Sequence, residues 1–131
     1  MAEATDRAAR IALVGHCGPD SYALRSAISG FVPGAEVVFA HDDDALAAEV
    51  ARADLLLINR TLDGSFSDAG GIELVRRLHA AGVRARPPLM LVSNFADAQR
   101  EAEAAGALPG FGKKEMYSQT TRARVRGALG L

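Results

Sequence analysis

The chain has a single cysteine, Cys17. It can form no internal disulfide, so nothing marks a secreted, disulfide-framed scaffold. Long apolar runs are missing too: none approaches the ~20 residues of a membrane span. Residues 1–10 are polar and mixed in charge, without the apolar centre of a signal peptide. The net charge is only −1, which gives no overall pull toward nucleic acid or an anionic membrane surface. Repeats, low-complexity tracts and internal linkers are absent. These absences lead to the expectation of a cytoplasmic protein with no nucleic-acid and no membrane partner.

What is present is ordinary for a globular protein: 131 residues, 49% hydrophobic and 24% charged. That length suits one domain with a real core. The expected division is a flexible N-terminal extension over residues 1–9 and a single domain over 10–131.

The most informative stretch is Asp54, Leu55, Leu56, Leu57, Ile58 and Asn59. Four consecutive apolar residues read as a strand buried on both faces, as in a parallel sheet. Residues 11–15 read as a first strand, and 16–20 as a loop punctuated by Gly18 and Pro19. Asp20 or Ser21 is positioned to cap a helix running to about Ser29. Residues 35–40 form a second, mixed strand suited to an edge. Asp42, Asp43 and Asp44 cluster where a helix N-terminus favours anions. After the loop 60–71 a helix spans about 71–81, with Ile72, Val75, Leu78 and His79 in phase and Gly82 at its end. Residues 89–92 are a second fully apolar strand, followed by Ser93 and Asn94. An alanine-rich helix covers about 96–105. Residues 107–112 make a weak strand interrupted by Pro109 and Gly110, hence an edge. A last helix runs from about Tyr117 to Leu129, its arginines 122, 124 and 126 reading as solvated.

Strand–helix alternation with right-handed crossovers gives an α/β, flavodoxin-like, doubly wound parallel sheet of five strands, order 2-1-3-4-5, with helices on both faces. Its carboxyl edge gathers His16, Cys17, Asn59, Arg60, Ser93, Asn94 and Lys113 into one shallow crevice, where such sheets place their chemistry.

Several segments together resemble the receiver domain of bacterial response regulators, over roughly residues 10–129. Residues 54–59 resemble the family's third strand, which ends in the phospho-accepting aspartate. Asp63-Gly64 and Gly71-Ile72-Glu73-Leu74 resemble the loop and helix that follow. Residues 89–93 resemble strand four with its terminal hydroxyl residue. Gly106-Ala107 and Phe111-Gly112-Lys113 resemble strand five with its terminal lysine. The resemblance implies the receiver fold and a signalling role.

The departures point to the atypical, pseudo-receiver branch. Gly15 and His16 stand where the family has a magnesium-binding acidic pair, and Asn59 where it has the phospho-acceptor. Ser93 and Lys113 remain as switch and phosphate-reading equivalents. Lys114 replaces a proline, and the aromatic residue expected at Gly110 is shifted to Phe111. The chemistry agrees: phosphoryl transfer needs an in-line nucleophile and a cation on the equatorial oxygens, and magnesium asks for oxygen ligands, usually carboxylates. Gly15, His16 and Asn59 supply none; Asp20 or Asp63 would have to swing in.

Each candidate also has a plainer reading. Asn59 either caps the next turn or mimics a neutralised carboxylate. Cys17 is a small buried hydrophobe or a redox thiol, activated by a helix start and by Lys113. His16 with Cys17 supplies too few ligands for a metal, so no metal is expected. No phosphate or dinucleotide loop is present, so no cofactor is expected. Lys113 points into the crevice toward an anion or the Asn59 carbonyl.

The expected function is a stand-alone, non-enzymatic receiver-like module acting by protein–protein contact. The alternative is non-standard phosphorylation or a Cys17-based thiol sensor. Its partners would be proteins of a signalling pathway, such as a histidine kinase or an output protein. The interaction face is expected on the fourth helix, fifth strand and last helix, presenting Phe95, Phe111 and Tyr117, with Ala96, Ala98, Ala102, Ala104 and Ala105 allowing close approach of such a partner or of a second copy in a homodimer.

Overall fold

The computed structural model describes residues 8–82 and 86–131. Most of the expected N-terminal extension, residues 1–7, lies outside them. The chain alternates β1 (Arg10–Val14), α1 (Gly18–Phe31), β2 (Glu36–Ala40), α2 (Asp43–Arg52), β3 (Leu55–Asn59), α3 (Gly71–Ala80), β4 (Leu89–Val92), α4 (Ala96–Ala105), β5 (Leu108–Phe111) and α5 (Gln119–Ala128). A short 3₁₀ turn, Lys113–Glu115, precedes α5. The five strands are all parallel in the order β2-β1-β3-β4-β5.

The period of two along the central strands divides the core. Ala12, Val14, Leu56, Ile58, Leu89 and Leu91 face one way, against Leu46 of α2, Ile72, Leu74, Val75 and Leu78 of α3, and Ala98 and Ala102 of α4. Ile11, Leu13, Leu55, Leu57, Met90 and Val92 face the other way, against Leu24, Ala27, Ile28 and Phe31 of α1 and Val125 of α5. Burial on both faces is why strands 1, 3 and 4 carry no alternating polar residues.

Helix boundaries differ from expectation in three places. α1 starts at Gly18, not after Asp20, and runs on to Phe31. Pro19 lies in its first turn, where a missing N–H leaves no helical bond unmade. Neither Asp20 nor Ser21 caps it: Cys17 holds the N-cap position without a side-chain bond, and Ser21 Oγ donates to His16 O at 3.2 Å. The last helix starts later than Tyr117, with Ser118 Oγ accepting from Thr121 N at 3.1 Å. The arginines of α5 are not simply solvated. Arg124 donates to Gly110 O at 2.5 Å and Arg126 to Phe31 O at 2.9 Å, tying the helix to β5 and to the end of α1.

At the amino end of the sheet, Arg10 organises a network that no local sequence pattern announces. Its guanidinium donates to both oxygens of Glu49 at 2.8 and 2.7 Å and lies 2.8 Å from Glu36 Oε1. Its backbone N–H donates to Asp54 Oδ2 at 2.8 Å. β1, β2, α2 and the entry to β3 are thereby tied together at the end opposite the candidate site.

Candidate functional site

The carboxyl edge of the sheet brings Gly15, His16, Asn59, Ser93 and Lys113 together, as expected, though not as one open crevice. After β1 the backbone turns at Gly15, with φ of +73°, a conformation that favours glycine. The turn sends His16 inward, to complete burial. His16 Nε2 lies 2.9 Å from Leu57 O. A carbonyl only accepts, so Nε2 carries the proton. Nδ1 has no partner among the described residues. Burial pushes the imidazole down to about 4, outweighing the raising effect of the Leu57 carbonyl. His16 is therefore neutral at pH 7 and sits beneath the site as a structural group.

Asn59 ends β3 with its amide committed. Nδ2 donates to Gly15 O at 3.0 Å and to Thr61 O at 2.7 Å. The first bond joins the ends of β1 and β3; the second caps the following turn. That turn is strapped across the sheet. Asp63 N donates to Gly15 O at 2.8 Å, Ser65 N to His41 O at 2.9 Å, and Ser67 N to Asp43 Oδ1 at 3.1 Å. Ser67 Oγ also donates to Asp43. Leu62 lies directly over Gly15: a Cβ added there would come within 2.8 Å of Leu62 Cδ2. An apolar side chain thus occupies the space above the end of β1. Asp63 itself is exposed, held by its backbone.

Lys113 reaches across to α1, where Nζ pairs with Asp20 Oδ2 at 2.5 Å. It does point toward an anion, but that anion is a side chain of this chain and not the Asn59 carbonyl. The lysine, followed by burial acting the other way and by a Cys17 hydrogen bond, holds the Asp20 carboxyl below its ordinary value. Cys17 is half-buried beside them, and the cation expected to activate it is engaged with Asp20. Ser93 is buried, and its Oγ accepts from Phe95 N at 3.2 Å. A cleft of about 210 Å³ remains, lined by Asn59, Arg60, Thr61, Ser93, Phe95 and Lys113 among others. Among the described residues no three His, Cys, Asp or Glu side chains gather where a metal would bind.

The expected interaction face divides. Phe95 is 61% and Tyr117 66% exposed, but Phe111 is 3% exposed and packs into the core. The aromatic shifted by one position lands on the inner side of β5, so it is corrected from surface to core. Ala98 and Ala102 of α4 likewise face the sheet. Arg60 lies over the Phe95 ring, 5.1 Å from its centroid. Gln99 was not foreseen. Its Nε2 lies 2.9, 3.0 and 3.3 Å from the carbonyls of Leu91, Ser93 and Phe111, bridging β4 and β5 where their register shifts. A lone amide on an otherwise Ala- and charge-rich helix was the available signal.

No protein-family model matches the chain, and neither does any curated protein sequence. Solved structures do match. The signal receiver domain of a DNA-binding response regulator (merR) from Colwellia psychrerythraea 34H superposes with a TM-score of 0.73 at 13% identity, over 94% of this chain and 99% of that one. A response regulator from Thermotoga maritima gives 0.72 at 15% identity, over 95% and 100%. The fold is that of receiver domains. NtrX from Brucella abortus gives 0.72 at 25% identity over 95% of this chain, which spans only 27% of NtrX. The receiver fold accounts for the strand order and for the gathering of residues at the carboxyl edge. No helix among the described residues is long and apolar enough to cross a membrane.

Proposed function

We propose that the chain is an atypical receiver-like signalling module, non-enzymatic and cytoplasmic, which acts through protein contacts and takes up no phosphoryl group at its strand-end cleft. The observation that carries this reading is the Asn59 amide. Its nitrogen is committed to Gly15 O and Thr61 O, at the position where the receiver fold would hold its nucleophile. The surroundings support it. Leu62 covers Gly15, His16 is buried and neutral, and the Asp20 charge is matched by Lys113. A divalent cation, which asks for carboxylate oxygens, would have to displace several packed groups at once.

The contact surface we assign is the rim around Phe95, with Arg60 stacked on it. Exposed aromatics beside a cation favour a protein partner, here a kinase or an output protein of a signalling pathway. A homodimer through α4, β5 and α5 has less behind it once Phe111 belongs to the core. The thiol-sensor alternative is likewise weakened, because Lys113 is engaged with Asp20 beside Cys17.

Incubation with acetyl phosphate or phosphoramidate and magnesium, read by intact mass, tests the central claim. The expected result is an unmodified chain, for the natural sequence and for Asn59→Asp alike. A stoichiometric phosphate adduct on the natural chain would overturn the proposal. An adduct on Asn59→Asp alone would mean that Asp20 or Asp63 completes a metal site.

A further inference from the structure

Among the described residues four lysines and arginines are half-buried: Arg10, Arg86, Lys113 and Arg126. Three are matched. Arg10 pairs with Glu49 and Glu36, and Lys113 with Asp20. Arg126 donates to Phe31 O, at the negative end of α1. Arg86, just before β4, meets only neutral acceptors. One terminal nitrogen donates to Pro87 O at 3.2 Å and the other to His79 Nδ1 at 2.9 Å. Its Nε is shut off from solvent and has no partner among the described residues. A guanidinium carries five N–H donors and a full charge, so Arg86 lacks both bonds and a countercharge. Burial pushes it below its ordinary value, with nothing raising it in return.

The arginine is nevertheless held in place. His79, in the last turn of α3, rests on Gly106, the residue after α4. A Cβ there would come within 2.4 Å of His79 Cγ, and φ is +121°, so the position under the imidazole favours glycine twice over. Beside the pair opens a cavity of about 330 Å³, lined by His79, Arg86, Pro88, Gly106 and Leu108. Pro88 and Leu108 give it apolar walls, and Leu108 is 40% exposed. The cavity lies at the amino end of β4 and β5, opposite the strand-end cleft.

We propose that this cavity binds a small organic monocarboxylate, with the carboxylate on Arg86 and a short apolar body against Pro88 and Leu108. A carboxylate matches the planar fork of an arginine and supplies the missing charge. The volume stands at the small end of ligand pockets, which suits a compound of a few carbons. Inorganic phosphate fits worse. It brings up to two charges to a site with one cation, and it offers the apolar walls nothing to cover. His79 acts as a positioning residue, because its Nδ1 fixes the guanidinium. The bound carboxylate joins the end of α3 to the start of β5, an input to the module that needs no covalent step. Asn59 lies at the other end of the sheet, so this binding and the absence of phosphoryl uptake stand or fall separately.

Titration of the full chain at low chloride, followed by NMR chemical shifts, tests this. Isobutyrate is the probe, isobutyramide its neutral isostere, and inorganic phosphate an anion without an apolar body. Isobutyrate should shift the amides of Gly106 and Leu108 and the Arg86 Nε signal saturably, and should raise Tm as its concentration rises. Isobutyramide should do neither, and phosphate should bind roughly tenfold more weakly. Arg86→Gln retains a donor for His79 Nδ1 and should weaken isobutyrate roughly tenfold. Leu108→Ala, at an exposed wall, should weaken it roughly threefold with the fold intact. Shifts that never saturate would overturn the proposal, as would an equal response to isobutyramide or to phosphate. Unchanged affinity in Leu108→Ala would also overturn it, and that test holds even if Arg86→Gln does not fold.

Discussion

Asn59 and His16 show how much a single side chain can fix. The Asn59 nitrogen is a donor facing two carbonyl acceptors. Asn59→Asp would replace it with an oxygen, removing both bonds and setting a negative charge against two carbonyls. We expect a loss of about 2 kcal/mol, read by chemical denaturation. Asn59→Ala, which removes the bonds without adding charge, should cost less. His16 predicts a pH dependence whose sign follows from linkage. The folded state holds the imidazole neutral down to about pH 4, whereas the unfolded chain takes up a proton near 6.5. Between those values the unfolded state binds more protons, so stability falls as pH drops from about 6.5 toward 4, by about 3 kcal/mol in all. His16→Gln keeps a donor for the Leu57 carbonyl and does not titrate. Its unfolding midpoint should be nearly flat between about pH 6.5 and 5, above the carboxylate range, where that of the natural chain slopes.

At the scale of elements, apolar runs and glycines made most of the fold legible in the sequence. Leu55–Ile58 and Leu89–Val92 are uniformly apolar because both faces are covered, and that pattern alone places them centrally. The edge strands were legible for the opposite reason: β2 is mixed and β5 is broken by Pro109 and Gly110. What stayed hidden were the interactions between elements distant in sequence. Glu49 lies 39 positions from Arg10; only its place three residues after Leu46, on the inward phase of α2, hinted at a buried partner. Arg10 is the largest influence holding the Glu49 carboxyl below its ordinary value. That pairing contributes at neutral pH and is lost as pH falls through the depressed value. Glu49→Ala leaves the guanidinium with Glu36 alone. It should cost about 3 kcal/mol, which calorimetry would read as a drop in Tm of roughly 10 °C. At the site, residue types at strand ends were legible but their directions were not. Gly15 and His16 could be named as departures from an acidic pair; that His16 turns inward follows from a backbone angle the sequence leaves open. Phe111 is the same lesson on β5, where a shift of one position changes the face.

For the molecule as a whole, the two ends of the sheet have different work. The amino end is fastened by charge: Arg10 to Glu49 and Glu36, with Asp54 on its backbone. The carboxyl end is fastened by amides and backbone carbonyls, with Lys113–Asp20 as its ion pair. Salt should therefore weaken the amino-end network more than the Asn59 and strap contacts, which carry little net charge. Phe95→Ala, exposed and outside both cores, should leave Tm within about 1 °C of the natural chain while lowering partner capture measurably. A large stability loss instead would reassign Phe95 to folding.

Leu62 over Gly15 has a consequence for rebuilding the site. An aspartate at 15 would need a left-handed backbone, which costs about 1–2 kcal/mol for residues with a side chain, and would collide with the leucine. One at 16 would bury a charge, and one at 59 would oppose two carbonyls. Each of these aspartates is harmful on its own, so an acidic pocket cannot be built into this arrangement one substitution at a time.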